Sequence, residues 1–312
     1  MDKLHAMTTF VRIVEAGSLT AAADRLGTSP TSVVRSLSGL ERALGVRLLN
    51  RTTRRMALTD EGRDYFERCR HLLQDVEEAE AALLARQVKP AGRLVITAPV
   101  MFGRLHVGPA VTDFLAAYPE VRIELLLLDR VVDLIHEGID LAVRIGTLPE
   151  SSLVAVPLGT TGRVVCASPE YLAFHGQPEN PAELQKHRAI RITGSSLEPD
   201  WSFQENGRPL RVTMPENLST NHIDFAIDAC LKGLGCGRFL AYQVREQLAA
   251  GKLVRLLSAY ELPPEPVNFA YPHARLLSSR VRAFIDWAAP QLREKLIEAR
   301  DVGDSAVARW QK

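Results

Sequence analysis

The sequence predicts a multidomain chain that joins an α+β unit to an α/β one: three short helices closed by a β-hairpin, then a long helix, then a two-lobed α/β domain. Three observations carry this. At 312 residues the chain is longer than one compact core usually supports. Up to residue 89 the apolar residues recur at helical spacing, except around 46–59. From Leu94 onward, short apolar runs of strand length alternate with helical ones. The expected divisions are 1–58, 59–89 and 90–312, with lobe I of the last over about 90–162 and 267–295 and lobe II over about 163–266.

Hydrophobic residues make up 46% of the chain and charged residues 24%, which fits a globular protein and argues against disorder. The start, Met1-Asp2-Lys3-Leu4-His5, has no basic stretch leading into an apolar run, and no later segment reaches the roughly 18 apolar residues of a membrane span. A soluble cytoplasmic protein is expected, without a membrane partner. The four cysteines, Cys69, Cys166, Cys230 and Cys236, lack the paired spacing of a zinc site and read as buried thiols. No metal or cofactor is expected. The net charge of +1 conceals a local excess, because Arg42, Arg47, Arg51, Arg54 and Arg55 fall between residues 42 and 58 with no acidic residue among them. Such density suits a surface that meets phosphates.

Leu4, Met7, Phe10, Val11 and Val14 predict the buried stripe of an opening helix that stops near Gly17. Ser18 caps a second helix, rich in alanine, ending at Gly27. Ser29 caps a third, with Pro30 in its first turn and Val33, Leu37, Leu40 and Leu44 inward, up to Gly45. Two short helices about a glycine turn form a helix-turn-helix, whose second helix would offer Thr31, Ser32, Arg35 and Ser36 to a major groove. An ordinary helical hairpin would look the same so far. The residues from Val46 to Thr59 then read as two strands around an arginine-rich tip, a wing, which favours DNA binding. From Thr59, with Asp60 and Glu61 in the first turn, one helix runs to about Arg86. Tyr65, Phe66, Cys69, Leu72, Leu73, Val76, Ala79 and Leu83 give it an apolar stripe opposite Glu77, Glu78 and Glu80. The stripe needs covering, and a second copy of the chain over residues 59–86 is the expected partner; packing on the downstream domain is the alternative.

These residues resemble the signature of LysR-type transcriptional regulators: Leu-Thr-Ala-Ala-Ala-Asp-Arg-Leu over 19–26, Leu40-Glu41, the run Leu44-Gly45-Val46-Arg47-Leu48-Leu49, Arg51-Thr52, and Leu58-Thr59 with Gly62. The resemblance implies a winged helix-turn-helix whose DNA contacts come from Ser29, Pro30, Thr31, Ser32, Val34 and Arg35 on the helix and from Arg51, Thr52, Arg54 and Arg55 on the wing. Val34 stands where the family commonly has serine, so it can offer only an apolar contact, such as to a thymine methyl. A homodimer, assembled further into a dimer of dimers, and RNA polymerase as a candidate partner are also implied.

Lys89-Pro90-Ala91-Gly92 predicts a hinge. Strands over Leu94–Ala98, Val121–Leu128 and Leu141–Ile145, with helices over Arg104–Ala117 and Val131–Glu137, predict a mostly parallel sheet. A second lobe starts near Val164, with helices around Pro181–Gln185 and His222–Lys232, before a strand at Val267–Tyr271 and a helix at Ser279–Leu292 return to the first. The stretches Leu141–Gly146, Cys166–Leu172 and Arg282–Asp286 are similar to LysR-type effector domains, which share the architecture of periplasmic binding proteins. Ligands of open α/β sheets bind beyond the strand carboxyl ends, so Pro99, Val100, Met101 and Phe102 are candidates for the cleft, with plain core packing as the alternative for the last three. The helix N-terminus that follows could hold a carboxylate. The resemblance adds Asp129, Gly146, Thr147, Thr193, His222 and Phe269. Arg238, after Gly233-Leu234-Gly235-Cys236-Gly237, is expected to pair with an acidic ligand or with a protein carboxylate. The small-molecule effector would be a carboxylate or an aromatic compound. Catalysis is not expected: there is no Gly-x-Ser-x-Gly, the eight histidines have no metal-ligand spacing, and the glycine cluster lacks the full dinucleotide fingerprint. An exported solute-binding protein would have no use for residues 1–89.

Overall fold

The computed structural model describes residues 2–51, 56–84, 89–148, 153–193, 200–272 and 278–310. The chain divides at Lys89/Pro90 into two compact units.

In the first unit, α1 (Lys3–Ala16), α2 (Leu19–Leu26) and α3 (Pro30–Leu44) surround one core. Each stops at a left-handed glycine, Gly17, Gly27 and Gly45. The Ser18 and Ser29 hydroxyls accept from the Ala21 and Ser32 amides at 3.1 and 3.2 Å, so both expected caps form. The inner face of α1 differs from the expected stripe. Ala6, Thr9, Phe10, Val11 and Ile13 are buried, whereas Leu4 is 47% exposed. Phe10 fixes that rotation by packing against Tyr65 and Phe66, and Thr9 is tolerated inside because its hydroxyl donates to the His5 carbonyl at 2.8 Å.

The wing strands β1 (Leu49–Arg51) and β2 (Met56–Leu58) pair antiparallel, Leu49 facing Leu58. Two side chains anchor them. The Glu41 carboxylate takes the Leu48 and Leu49 amides at 2.9 and 3.3 Å, tying the strand to α3. Thr59 donates its hydroxyl to the Arg47 carbonyl at 2.8 Å and accepts from the Gly62 amide at 2.9 Å, capping α4 (Asp60–Leu84). The first turn of α4 crosses the wing so closely that a Cβ on Gly62 would lie 2.0 Å from the Leu48 carbonyl oxygen. The helix expected to Arg86 is described as far as Leu84, and the side chains of Ala79 and Leu83 lie outside the described residues.

The second unit has two lobes. After β3 (Gly92–Ala98), α5 (Val100–Phe102) and α6 (Gly108–Ala117) run on either side of a π-helical turn, Gly103–Val107. Next come β4 (Val121–Leu127), β5 (Leu141–Ile145) and β6 (Leu153–Thr161). Lobe II then forms from β7 (Arg163–Ala167), α7 (Pro169–His175), a 3₁₀ turn at Pro181–Lys186, β8 (Ala189–Ile192), the hairpin β9 (Trp201–Glu205) and β10 (Arg208–Val212), β11 (Glu216–Thr220), α8 (Ile223–Leu231), β12 (Cys236–Leu240), α9 (Arg245–Ala249) and β13 (Val254–Leu256). The chain returns through β14 (Glu265–Pro272) and α10 (Ser279–Trp310). Lobe I has strand order β4-β3-β5-β14-β6, and lobe II has β11-β8-β12-β7-β13.

Two expectations are corrected. The sheet of lobe I is parallel only over β4-β3-β5, because β14 is antiparallel to both β5 and β6. The helix expected at Val131–Glu137 is a single capped turn. The Asp133 carboxylate accepts from the Ile135 and His136 amides, and Gly138 turns left-handed one turn later. Val132, Leu134 and Ile139 still bury under the sheet, and Asp140 accepts from the Val95 amide at 2.9 Å. On the other face, Phe269 of β14 and Phe114 of α6 pack against Phe284 of α10.

Gly62→Ala is expected to destabilise by at least about 1–3 kcal/mol, since the obstacle is backbone rather than a movable side chain. The check is the urea midpoint of the first unit's transition in the full chain; an unchanged midpoint would show that α4 can retreat freely from the wing.

Candidate DNA interface and effector cavity

The cap at Ser29 sets which face of α3 is outward. Pro30, Thr31, Ser32 and Arg35 are exposed along with Ser29, Val34 is half-buried, and Val33, Leu37 and Leu40 point into the core. Apart from half-buried Val34, the expected helix-borne set is therefore accessible around the start of α3. Arg51 closes β1, and its side chain, with Thr52, Arg54 and Arg55, lies outside the described residues.

In the second unit the carboxyl ends of β3, β4 and β5 meet lobe II across a cavity of about 360 Å³. Pro99 follows β3, Asp129 follows β4, and Gly146 and Thr147 follow β5; all four line it, as does Thr193 after β8. The other five expected residues do not. Met101, Phe102 and Phe269 are core, and Val100 is half-buried. His222 caps α8 through Nδ1 and the Phe225 amide, between the lining residues Asn221 and Ile223. For Phe102 and Phe269 the large apolar ring found more burial in the lobe I core than a cleft offers.

The carboxylate expected at the helix after β3 is already present. Asp129 Oδ1 accepts from the Val100 amide at 3.0 Å, so the protein fills that position itself. The cations lie elsewhere. Arg130 is held in a two-point pair by Glu137, and Arg163 by Glu265. Arg238 sits over the Trp201 ring at 5.7 Å. Arg144, on β5, donates one terminal nitrogen to the Val132 carbonyl at 2.8 Å, and burial pulls its pKa down from the usual arginine value. Of these arginines the sequence had singled out only Arg238. The missed signal at Arg144 was a lone charge in an otherwise apolar strand.

Tyr242 and Gln243, which also line the cavity, follow β12. Tyr242 meets Phe102 and His106 edge-on at 5.3 and 5.6 Å, so a ring cluster joins lobe I to the segment after β12. Arg104 and Asp224 pair across the lobes at 3.0 Å. All four cysteines are buried, and burial pushes Cys69 up to about 11 and Cys236 up to about 12, leaving protonated thiols at neutral pH. Among the described residues no cluster of His, Cys, Asp and Glu could hold a metal, and no helix is long and apolar enough to cross a membrane.

Comparison with known proteins matches both units of the chain. The family described as the LysR substrate binding domain matches residues 87–293, and the bacterial regulatory helix-turn-helix protein of the lysR family matches residues 4–63. An HTH-type transcriptional repressor of Pseudomonas aeruginosa (strain UCBPP-PA14) is 39% identical over 92% of this chain and 91% of its own. The uncharacterized HTH-type transcriptional regulator YhjC of Escherichia coli (strain K12) is 35% identical over 95% of this chain and 100% of its own. The structure of CrgA, a LysR-type transcriptional regulator from Neisseria meningitidis, is similar with a TM-score of 0.60 at 32% identity, covering 92% of this chain and 98% of that one.

The ring cluster generates a pH prediction. Burial, with Lys295 and Arg245 nearby, lowers the His106 pKa to about 4, and its buried Nε2 has no hydrogen-bond partner among the described residues. An unfolded His takes up its proton near pH 6.5, so between there and pH 4 the unfolded chain binds the extra proton. Stability is unaffected by this group above pH 6.5 and falls as pH drops below it. Thermal melts of the native protein should therefore lose more between pH 6.5 and 4 than those of His106→Phe; equal slopes would remove His106 from the acid response.

Proposed function

The chain belongs to the LysR family of bacterial transcriptional regulators, and from this we propose that it reads promoter DNA as a homodimer paired along α4 and couples that reading to a small molecule held in the lobe I/lobe II cavity. It is a transcriptional regulator with a DNA-binding helix-turn-helix and an effector-binding domain. The observation that carries the DNA assignment is the exposed start of α3, where Pro30, Thr31, Ser32 and Arg35 are all accessible. Recognition helices present this part to base edges, while wings meet the phosphates or the minor groove. Arg51, Thr52, Arg54 and Arg55 take the wing role and Ser29 the helix-terminal phosphate. Val34 offers a methyl contact.

Pairing through α4 is supported by its uncovered stripe. Leu72 is 51% exposed, and half-buried Val76 lies one turn further along the same face. A two-fold partner would cover these residues and place two recognition helices on successive half-sites. Further assembly into a tetramer and contact with RNA polymerase follow the same reading, as does action in the cytoplasm without catalysis. Closure of the two lobes on a ligand would change how the paired modules meet DNA, by the differential affinity of that ligand for the closed form. Pro99, Asp129, Gly146, Thr147 and Thr193 are the effector contacts.

Footprinting on the intergenic DNA beside the gene, at fixed salt with random DNA as competitor, should show a protected site of two-fold symmetry. No specific protection by a folded dimer would overturn the assignment, and a cavity ligand that leaves footprint and bend unchanged would overturn the coupling. Arg35→Ala should weaken specific binding by about 1–3 kcal/mol and relax the preference at one base pair, whereas Arg54→Ala should weaken all sequences alike and reduce the salt slope by about one. Loss of equal size on specific and random DNA would take Arg35 out of base readout. In sedimentation experiments, Leu72→Lys should run as a monomer where the native chain runs as a dimer; an unchanged dimer would place the interface elsewhere.

A further inference from the structure

The cavity's charge points to its ligand. Its walls are largely apolar, with Leu128, Val143, Ile145, Leu153, Ile192 and Leu240 contributing, and its volume of about 360 Å³ is at the small end for ligand sites. Set into those walls are four arginines and one carboxylate. Arg130 and Arg163 already have Glu137 and Glu265 as partners, and Asp129 is engaged with the Val100 amide. Arg144 differs. It is half-buried, it has no carboxylate within ion-pair distance among the described residues, and only one of its terminal nitrogens is bonded, to the Val132 carbonyl. The remaining guanidinium donors are matched in geometry to a carboxylate.

Glu137 acts on Arg144 only through space, being paired in contact with Arg130, so the cost of taking this cation partly out of water is offset in part and the remainder is recovered when an anion arrives. The apolar walls sharpen the effect, since they lower the local dielectric around the pair and exclude competing water. They also favour an organic body over a bare inorganic anion. Thr147, Thr193 and Asn221 supply further polar groups along the rim. Resting on the reading of this cavity as the effector site, we propose that the effector is a small organic acid and that Arg144 seats its carboxylate. The helix N-terminus after β3 is not the anchor, because Asp129 occupies it.

The test uses the full chain and a panel of small aromatic and aliphatic acids, each paired with its primary amide, a neutral mimic of nearly the same shape. Titration calorimetry should show acids binding at least about 10-fold tighter than their amides. Arg144→Gln, which keeps a donor for the Val132 carbonyl, should lose about 10-fold or more for acids while leaving the amides unchanged. Arg144→Lys should fall between. Arg93→Gln, which breaks an exposed pair with Glu124 at the end of β3 opposite the cavity, serves as the control for a paired arginine and should change affinity by less than about threefold. A native melting curve for each variant separates lost binding from lost fold, and the acid-to-amide ratio of the native chain is readable even if a variant does not fold. Amides binding as well as acids, or Arg144→Gln binding acids as tightly as the native chain, would overturn the assignment while the effector cavity stands. If no member of the panel binds in either form, the cavity itself is removed from effector recognition, and both readings fall.

Discussion

The second unit depends on where one strand is inserted. β14 lies between β5 and β6 and is antiparallel to both, so the chain cannot finish lobe I before it builds lobe II. It must leave after β6, form a second sheet, and come back. The exit and return then run side by side, Thr161 opposite Glu265, and the Arg163 guanidinium on the outgoing strand pairs with Glu265 on the returning one. A double-stranded crossover restrains sliding but permits rotation, which is the motion a ligand between lobes can exploit. The cavity lies where it does for the same reason. The parallel trio β4-β3-β5 directs its carboxyl ends to one side, and the crossover brings lobe II over them.

Within that cleft, charge is distributed unevenly. Three of the lining arginines are built into the protein's own network, through Glu137, Glu265 and the Trp201 ring, and contribute to shape as well as to charge. The single lining carboxylate is consumed by backbone. On the assignment proposed above, Arg144 sets the chemical identity of the site, so that a sequence position embedded in an apolar strand decides ligand class.

What the sequence made legible was local. Ser18, Ser29 and Thr59 as caps, Gly17, Gly27 and Gly45 as stops, and Leu49 to Leu58 as a hairpin all follow from interactions within a few residues, and all appear. What it hid was set by distant partners. Leu4 has the spacing of a core residue, but Phe10 meets Tyr65 and Phe66 and turns α1 away from it. Nothing in the sequence pointed to β6: it contains Pro157 and Gly159, which disfavour a strand and are tolerated because, among the described residues, β6 is an edge strand paired only with β14. Asn206-Gly207, both at positive φ, is a hairpin signal that was there to be read between β9 and β10. The cleft was half legible: of the four residues after β3 only Pro99 lines it, of those the resemblance added Asp129, Gly146, Thr147 and Thr193 do, and Phe102 and Phe269 were claimed by the core.

The two units are also determined in different ways, and this bears on how each can change. The wing is fixed to α3 and α4 by backbone groups: the Leu48 and Leu49 amides on Glu41, the Arg47 carbonyl on Thr59, and the Leu48 carbonyl against a glycine that admits no side chain. None of these contacts involves the exposed side chains of Thr31, Ser32 and Arg35 on α3, so substitutions there leave the frame in place. The cleft has the opposite character. Its polar character comes largely from long side chains that reach in from both lobes, and replacing one of them changes the ligand while leaving both sheets intact. DNA specificity and effector specificity are thereby separable, each resting on side chains that the fold holds in place but does not itself require.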